Sequence, residues 1–323
     1  MKIGILGAGA IGGYFGGKLK QAGHDVAFVA RGETLKVLGE TGVTLIDAHS
    51  EPTTTEVIQV PGVRSFAKVK ELLGGLDVAI IASKALPGNE TFGSAEDRAA
   101  LQGVPVVTTH NSVEIPYLAA EEFGEENILA GVARVYATRL SPARIKRNPG
   151  PLALAFGPLS ANAPESVRQA GKDLAAALKE SGASSKFHDA ALVDVWSKAM
   201  FVTSTGALGA LVDKPIGYLC QEIPGQLEAF MKEVEAAGRG MGVELPDDVV
   251  EQTMEFARQQ HPDNTSSMQR DIKEGLPNEL DAQVGAIRRM GAKAGVKTPL
   301  WDFAQDVLEA QLRSSEDERN RWW

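Results

Sequence analysis

Six residues, Gly7-Ala8-Gly9-Ala10-Ile11-Gly12, constrain the chain more than any other feature. They fit the spacing G-x-G-x-x-G and stand between a compact apolar run, Lys2-Ile-Gly-Ile-Leu6, and a helical pattern over residues 11–21. The pattern alone is common by chance; between a first strand and a helix it is far more restrictive. There Gly7 permits a tight turn, Gly9 lets the backbone approach a pyrophosphate without a Cβ in the way, and Gly12 allows the helix to pack closely on the strand. The N–H groups of Ala10, Ile11 and Gly12 open the helix, and with the helix dipole they favour phosphate oxygens. A glycine-rich turn without a ligand is the alternative. Against it, strand, loop, helix and second strand follow in the order a dinucleotide-binding unit requires.

The rest of the first half continues the alternation. Residues 25–30 read as a second strand, 33–38 as a helix, 43–46 and 55–60 as a small hairpin, 69–73 as a helix, and 77–82 and 104–108 as strands. Apolar strands alternating with helices predict a parallel sheet covered on both faces, an α/β doubly wound (Rossmann) domain. Further strands are expected at 128–140, 143–146 and 152–156, with Asn148-Pro149-Gly150 as a turn. A helix at 165–180 and a strand at 184–187 follow. Beyond Asp189 the period is helical, over 190–211, 225–240, 247–260, 279–294 and 301–312. The expected division is a nucleotide-binding domain over 1–188 and an all-α domain over 189–323.

Composition excludes several classes. The chain has 323 residues, 43% of them hydrophobic, enough for two cores. A net charge of -9 attracts neither nucleic acid nor an anionic membrane surface. The one cysteine, Cys220, cannot form an internal disulfide, which fits a reducing cytoplasmic setting. No leader pattern stands at the N-terminus, and no segment has the roughly 18 uninterrupted apolar residues of a membrane span. No metal site is expected.

Polar residues at the ends of strands carry the next inference, because ligands of open α/β sheets bind outside the carboxyl ends of the strands. The second strand ends in Ala30-Arg31, where NAD sites usually carry an acid. A guanidinium suits a 2′-phosphate, so NADPH is favoured, although Arg31 also fits a solvated loop and Glu33 lies close by. Lys84 and Asn111 end two later strands and are placed to reach the nicotinamide half; Lys84 reads equally as a surface lysine. His110 reads as structural. In the helical half, Lys198 stands within Val195-Trp-Ser-Lys-Ala-Met-Phe201. It is either a lysine snorkelling from a helix edge or a proton donor whose pKa burial has lowered.

Four stretches together resemble the ketopantoate reductase (2-dehydropantoate 2-reductase) family: KIGILGAGAIGGYFGGKL at the N-terminus, ASK at 82–84, WSKA at 196–199, and NTSSMQRDI with the following Glu279. The likeness spans essentially the whole chain. It implies a Rossmann domain plus a 6-phosphogluconate-dehydrogenase-like helical domain, with the active site between them and domain closure during turnover. It implies that Gly7, Gly9 and Gly12 hold the pyrophosphate, Arg31 the 2′-phosphate, and Lys84 and Asn111 the nicotinamide end. Lys198 becomes the general acid, oriented and kept charged by Glu279, while Asn264 and Ser267 bind substrate. The expected partner is a small 2-oxo acid, a homodimer being compatible with the reading.

The chain departs from the family at three places. Asparagines are usual four and eight residues after the catalytic lysine; here Val202 and Gly206 stand there, on one helix face. Ser112 follows Asn111 where glycine is common. Val202 cannot hydrogen-bond a substrate hydroxyl, and Gly206 is expected to leave space. The implied substrate is therefore a 2-oxo acid more apolar or bulkier than ketopantoate, unless Thr203, Ser204 or Thr205 is brought round by a kink. A catalytically silent NADP(H)-binding sensor is the reading of a different class. Retention of Lys198, Ser267 and Glu279 speaks against it.

Overall fold

The computed structural model describes residues 1–88 and 90–320 and divides into two compact units. The first takes in Met1–Ala85, Glu90–His110 and Ile115–Ala191. The second runs from residue 192 onward and includes two short loops, residues 86–88 and 111–114.

The first unit contains β1 (Lys2–Leu6), α1 (Ala10–Gln21), β2 (Asp25–Val29), α2 (Gly32–Glu40), β3 (Val43–Asp47), β4 (Thr54–Ile58), β5 (Gly62–Val63), α3 (Phe66–Leu73), β6 (Val78–Ile81), α4 (Ala95–Ala100), β7 (Val106–Thr108), α5 (Ile115–Phe123), β8 (Ile128–Ser141), β9 (Arg144–Pro158), α6 (Glu165–Glu180) and β10 (Ser184–Phe187). The strands form one sheet in the order β4-β3-β9-β8-β7-β6-β1-β2-β5, with β10 also on β9. From β5 to β8 every pairing is parallel. Continuous burial of β6 and β7 explains their unbroken apolar runs: both sheet faces are covered. The chain leaves β1 for β2 on one side and returns to β6 on the other, so the loop after β1 stands at a topological switch point.

The expected turn at residues 148–150 is not one. β8 and β9 are joined at Pro142-Ala143, with Ala143 at φ 53°. Residues 148–150 lie inside β9 at a bulge, since Val135 pairs with Leu152 but Ala137 pairs with Arg147. Long antiparallel pairing on either side overrides the local turn signal, and proline is tolerated in a sheet at a bulge.

A polar staple ties α1 to the sheet. Asp47 of β3 accepts from the Tyr14 hydroxyl at 3.0 Å and from Arg147 Nη1, its register partner on β9, at 3.1 Å. Burial, then Asp47, push the Tyr14 hydroxyl up to about 12. Burial alone would raise the Asp47 carboxyl; the His49 N–H, Tyr14 and Arg147 outweigh it and hold it below its usual range.

The second unit contains α7 (Ala191–Val212), α8 (Ile216–Gln221), α9 (Pro224–Gly240), α10 (Val249–Arg258), α11 (Ser267–Lys273), α12 (Ala286–Lys293) and α13 (Pro299–Asn320). The helix expected at 279–294 opens instead with a wide π turn, Asp281–Gly285, before α12. By length and composition α7 would also suit a membrane span, but 61% of its most apolar window is buried inside the fold, as in a core helix. Trp196, Met200 and Ala207 are wholly buried.

Space at Gly206 is a further expectation the structure corrects. A Cβ there would lie 2.8 Å from Ser266 Oγ and 3.1 Å from Met268 Cε. One turn on, a Cβ at Gly209 would lie 2.7 Å from Gln269 Oε1, and Gln269 Nε2 donates to the carbonyls of Gly209 (3.1 Å) and Lys214 (3.0 Å). The start of α11 therefore seats on a strip of α7 that carries no side chains. The missing side chain at 206 admits protein, not substrate.

Candidate active site

The glycine loop has the geometry its spacing predicts. Gly7 is at φ 97°, and its N–H donates to Val29 O at 3.1 Å. A Cβ on Gly7 would lie 2.9 Å from Ser83 N, and one on Gly12 would lie 2.1 Å from Gly7 O. Both positions are closed by the fold itself. Gly9, the residue capping α1, is different: a Cβ there would meet nothing within 4 Å. That glycine opens an approach to the N–H groups of Ala10, Ile11 and Gly12, and the first turn of α1 holds no acid to oppose an anion. A dinucleotide pyrophosphate fits this loop.

At the carboxyl end of β2 the fold gathers cations. β5 lies parallel to β2, with Phe28 opposite Gly62 and Val29 opposite Val63, so Arg64 emerges beside Ala30-Arg31. Arg31, Gly32, Leu35, Lys36 and Arg64 line a concavity of about 510 Å³. Acids attend two of the three cations. Arg31 Nη2 lies 3.0 Å from Glu90 Oε2 and 3.9 Å from the fully buried Asp97, while Lys36 lies 3.9 Å from Glu33. Arg64 makes no ion pair among the described residues. Sequence reasoning found Arg31 but not Lys36, Arg64 or Glu90; a two-residue strand has no periodicity to read.

Past β6, Ser83 Oγ donates to Thr91 O at 2.8 Å and Lys84 is exposed. Past β7, Thr109 Oγ1 donates to Ile81 O at 2.9 Å. The His110 ring is enclosed. Burial lowers it to about 4, against a slight opposing pull from the Ser83 backbone, and neither nitrogen completes a well-formed hydrogen bond among the described residues. Asn111 is half-buried and opens the 111–114 loop, which belongs to the second unit. Glu114 anchors that loop, accepting from Arg289 Nη2 at 2.7 Å and Nε at 2.9 Å. Arg289 also holds Asp281 at 2.8 Å, and these carboxylates raise its pKa further.

On α7, Lys198, Val202 and Thr205 fall on one face by their spacing. Lys198 and Val202 are half-buried. Thr205 Oγ1 donates back to Phe201 O at 2.7 Å, Thr203 and Ser204 are buried, and α7 runs unbroken. With no kink in the helix, Thr203 and Ser204 stay buried off the Lys198 face, while Thr205 lies on it with its hydroxyl hydrogen spent on Phe201 O. Phe201 meets Phe256 of α10 edge to face, centroids 4.8 Å apart, and Phe256 is 47% exposed. Lys198 and Glu279 each have an interaction partner, and Glu279 is half-buried just before the π turn. Asn264 and Ser267 are exposed. Asn264 O accepts from Ile216 N at 2.9 Å; Ser266, not Ser267, caps α11 by accepting from Gln269 N at 3.0 Å. No group of three or more His, Cys, Asp or Glu side chains among the described residues is arranged to hold a metal ion.

Residues 3–161 match the family model described as ketopantoate reductase PanE/ApbA, and residues 191–311 match its C-terminal counterpart. The chain belongs to the ketopantoate reductase family. A 2-dehydropantoate 2-reductase of Mesorhizobium japonicum is 29% identical over 322 residues, covering 94% of this chain and 95% of that protein. A crystal structure of a PanE/ApbA family ketopantoate reductase from Ralstonia eutropha superposes with a TM-score of 0.79 at 26% identity, covering 99% and 100% of the two chains. A ternary structure of D-mandelate dehydrogenase with NADH and anilino(oxo)acetate shares the fold, with a TM-score of 0.81 at 23% identity and coverage of 97% and 99%. The chain is a pyridine nucleotide-dependent oxidoreductase acting on a CH–OH/C=O group.

Proposed function

We propose that this family member uses NADPH to reduce a 2-oxo acid whose side chain is more apolar or bulkier than that of ketopantoate. One observation carries the choice of cofactor: Arg31, Lys36 and Arg64 converge on a single concavity at the end of β2, where an NAD-selective site needs an acid. When bound, the reduced nicotinamide supplies the hydride.

The remaining roles belong to the chain. Lys198 donates the proton to the carbonyl oxygen as negative charge builds there, and Glu279 orients it and keeps it charged. His110, lowered to about 4 by burial, is a neutral imidazole at neutral pH and so is not the cationic acid of this scheme. Lys84 and Asn111 line the nicotinamide end, with Asn111 steadied through Glu114 and Arg289. Asn264 and Ser267 take the substrate carboxylate. Val202 presents a hydrocarbon surface beside Lys198, and the Phe201–Phe256 pair extends it, so aliphatic and aryl side chains are favoured over a hydroxylated one.

The test is steady NADPH oxidation across branched, aryl and hydroxylated 2-oxo acids, repeated with NADH. Faster turnover of the apolar members with NADPH supports the proposal. A clear preference for ketopantoate, or equal use of NADH, overturns the corresponding half.

A further inference from the structure

Arg31 is the obvious ligand for a cofactor 2′-phosphate, yet it is already engaged. Its Nη2 is hydrogen-bonded to Glu90 at 3.0 Å, and the Asp97 carboxylate stands 3.9 Å away. Asp97 is held in place from other directions: its carboxylate accepts from Phe66 N at 2.7 Å and from Ser94 N and Oγ at 2.8 Å each. Glu90 is 48% exposed, and its carboxylate is paired with Arg31. Arg64 faces the same concavity with no acid on it among the described residues.

We infer that Arg64 is the principal determinant of 2′-phosphate recognition in this chain and that Glu90 is an internal competitor, its carboxylate occupying on Arg31 the place the phosphate would take. The inference rests on the NADPH reading above. The cofactor phosphate meets Arg64 directly but competes with Glu90 for Nη2 of Arg31. Displacement is feasible because the Arg31–Glu90 pair is solvent-exposed, and exposed pairs are weak. With an unphosphorylated cofactor the pair has no reason to open.

Equilibrium binding of NADPH and NADH, and of 2′,5′-ADP against 5′-AMP, tests this without turnover. Arg64→Ala is expected to weaken NADPH and 2′,5′-ADP by roughly tenfold or more, as loss of a charge-assisted hydrogen bond does, while moving NADH and 5′-AMP less than about twofold. Arg64→Lys should recover part of the loss, because a point charge remains after the planar fork is removed. Glu90→Gln should tighten NADPH by roughly two- to fivefold and leave NADH unchanged. Equal losses for phosphorylated and unphosphorylated ligands in Arg64→Ala, or no loss for either, overturn the role of Arg64. Weaker NADPH binding in Glu90→Gln overturns the competition. The wild-type ratio of NADPH to NADH affinity tests the underlying reading separately: a ratio near one refutes it, and refutes the inference as well if Glu90→Gln creates no preference.

Discussion

Gly206 of α7 and Ser266 at the cap of α11 touch so closely that a Cβ on the glycine would stand 2.8 Å from the serine hydroxyl. The family's usual asparagine therefore cannot simply be restored at 206. Gly206→Asn should destabilise the protein by about 1–3 kcal/mol through overpacking. A further cost of about 1 kcal/mol follows if Ser266 is turned away from Gln269 N. The few tenths of a kcal/mol that asparagine gains over glycine in a helix are too small to compensate. Urea unfolding of the variant measures the sum, and unchanged stability would show that the α7–α11 seam yields.

Val202, four residues earlier, is half-buried on the Lys198 face of α7. Val202→Asn should fold normally and raise kcat/KM for ketopantoate relative to an apolar 2-oxo acid by about tenfold, since a hydroxyl left unpaired against valine costs about 1–3 kcal/mol. The ratio of the two specificity constants is the readout. An unchanged ratio would remove Val202 from the specificity surface.

The Tyr14–Asp47 pair makes stability depend on alkaline pH. A phenol near 10 in the unfolded chain and near 12 in the fold favours the protonated native state. Its contribution is fully present below pH 10 and is lost as pH rises through 12. Wild type should lose about 2–3 kcal/mol more than Tyr14→Phe between those limits. Parallel stability curves for the two proteins would contradict a strongly raised Tyr14. Asp47 works in the opposite sense: its contribution is present above the unfolded carboxylate pKa and is lost as pH falls through its lowered folded value.

The legible parts of this molecule were those set by local chemistry. The glycine loop is one, because Gly7 takes the positive φ of the turn and Gly12 leaves room for the carbonyl of Gly7. The apolar strands were legible too, since burial on both faces leaves continuous runs. Contacts made far along the chain were not. Gly206 alone reads as a gap, and only the fold reveals that Ser266 fills it. Asn148-Pro149-Gly150 reads as a turn, and only the pairing of β8 with β9 makes it a bulge. Arg64 joins Arg31 through a strand two residues long, and Phe256 reaches Phe201 from another helix. No local pattern signals either meeting.

Single-turnover reduction of the preferred 2-oxo acid by enzyme-bound NADPH, in wild type and Lys198→Ala, tests the central claim most directly. The account predicts that the variant binds NADPH with wild-type affinity while the hydride-transfer rate falls about 10²- to 10⁴-fold, the usual contribution of a positioned acid. Near wild-type hydride transfer in Lys198→Ala would make the lysine structural and contradict the account.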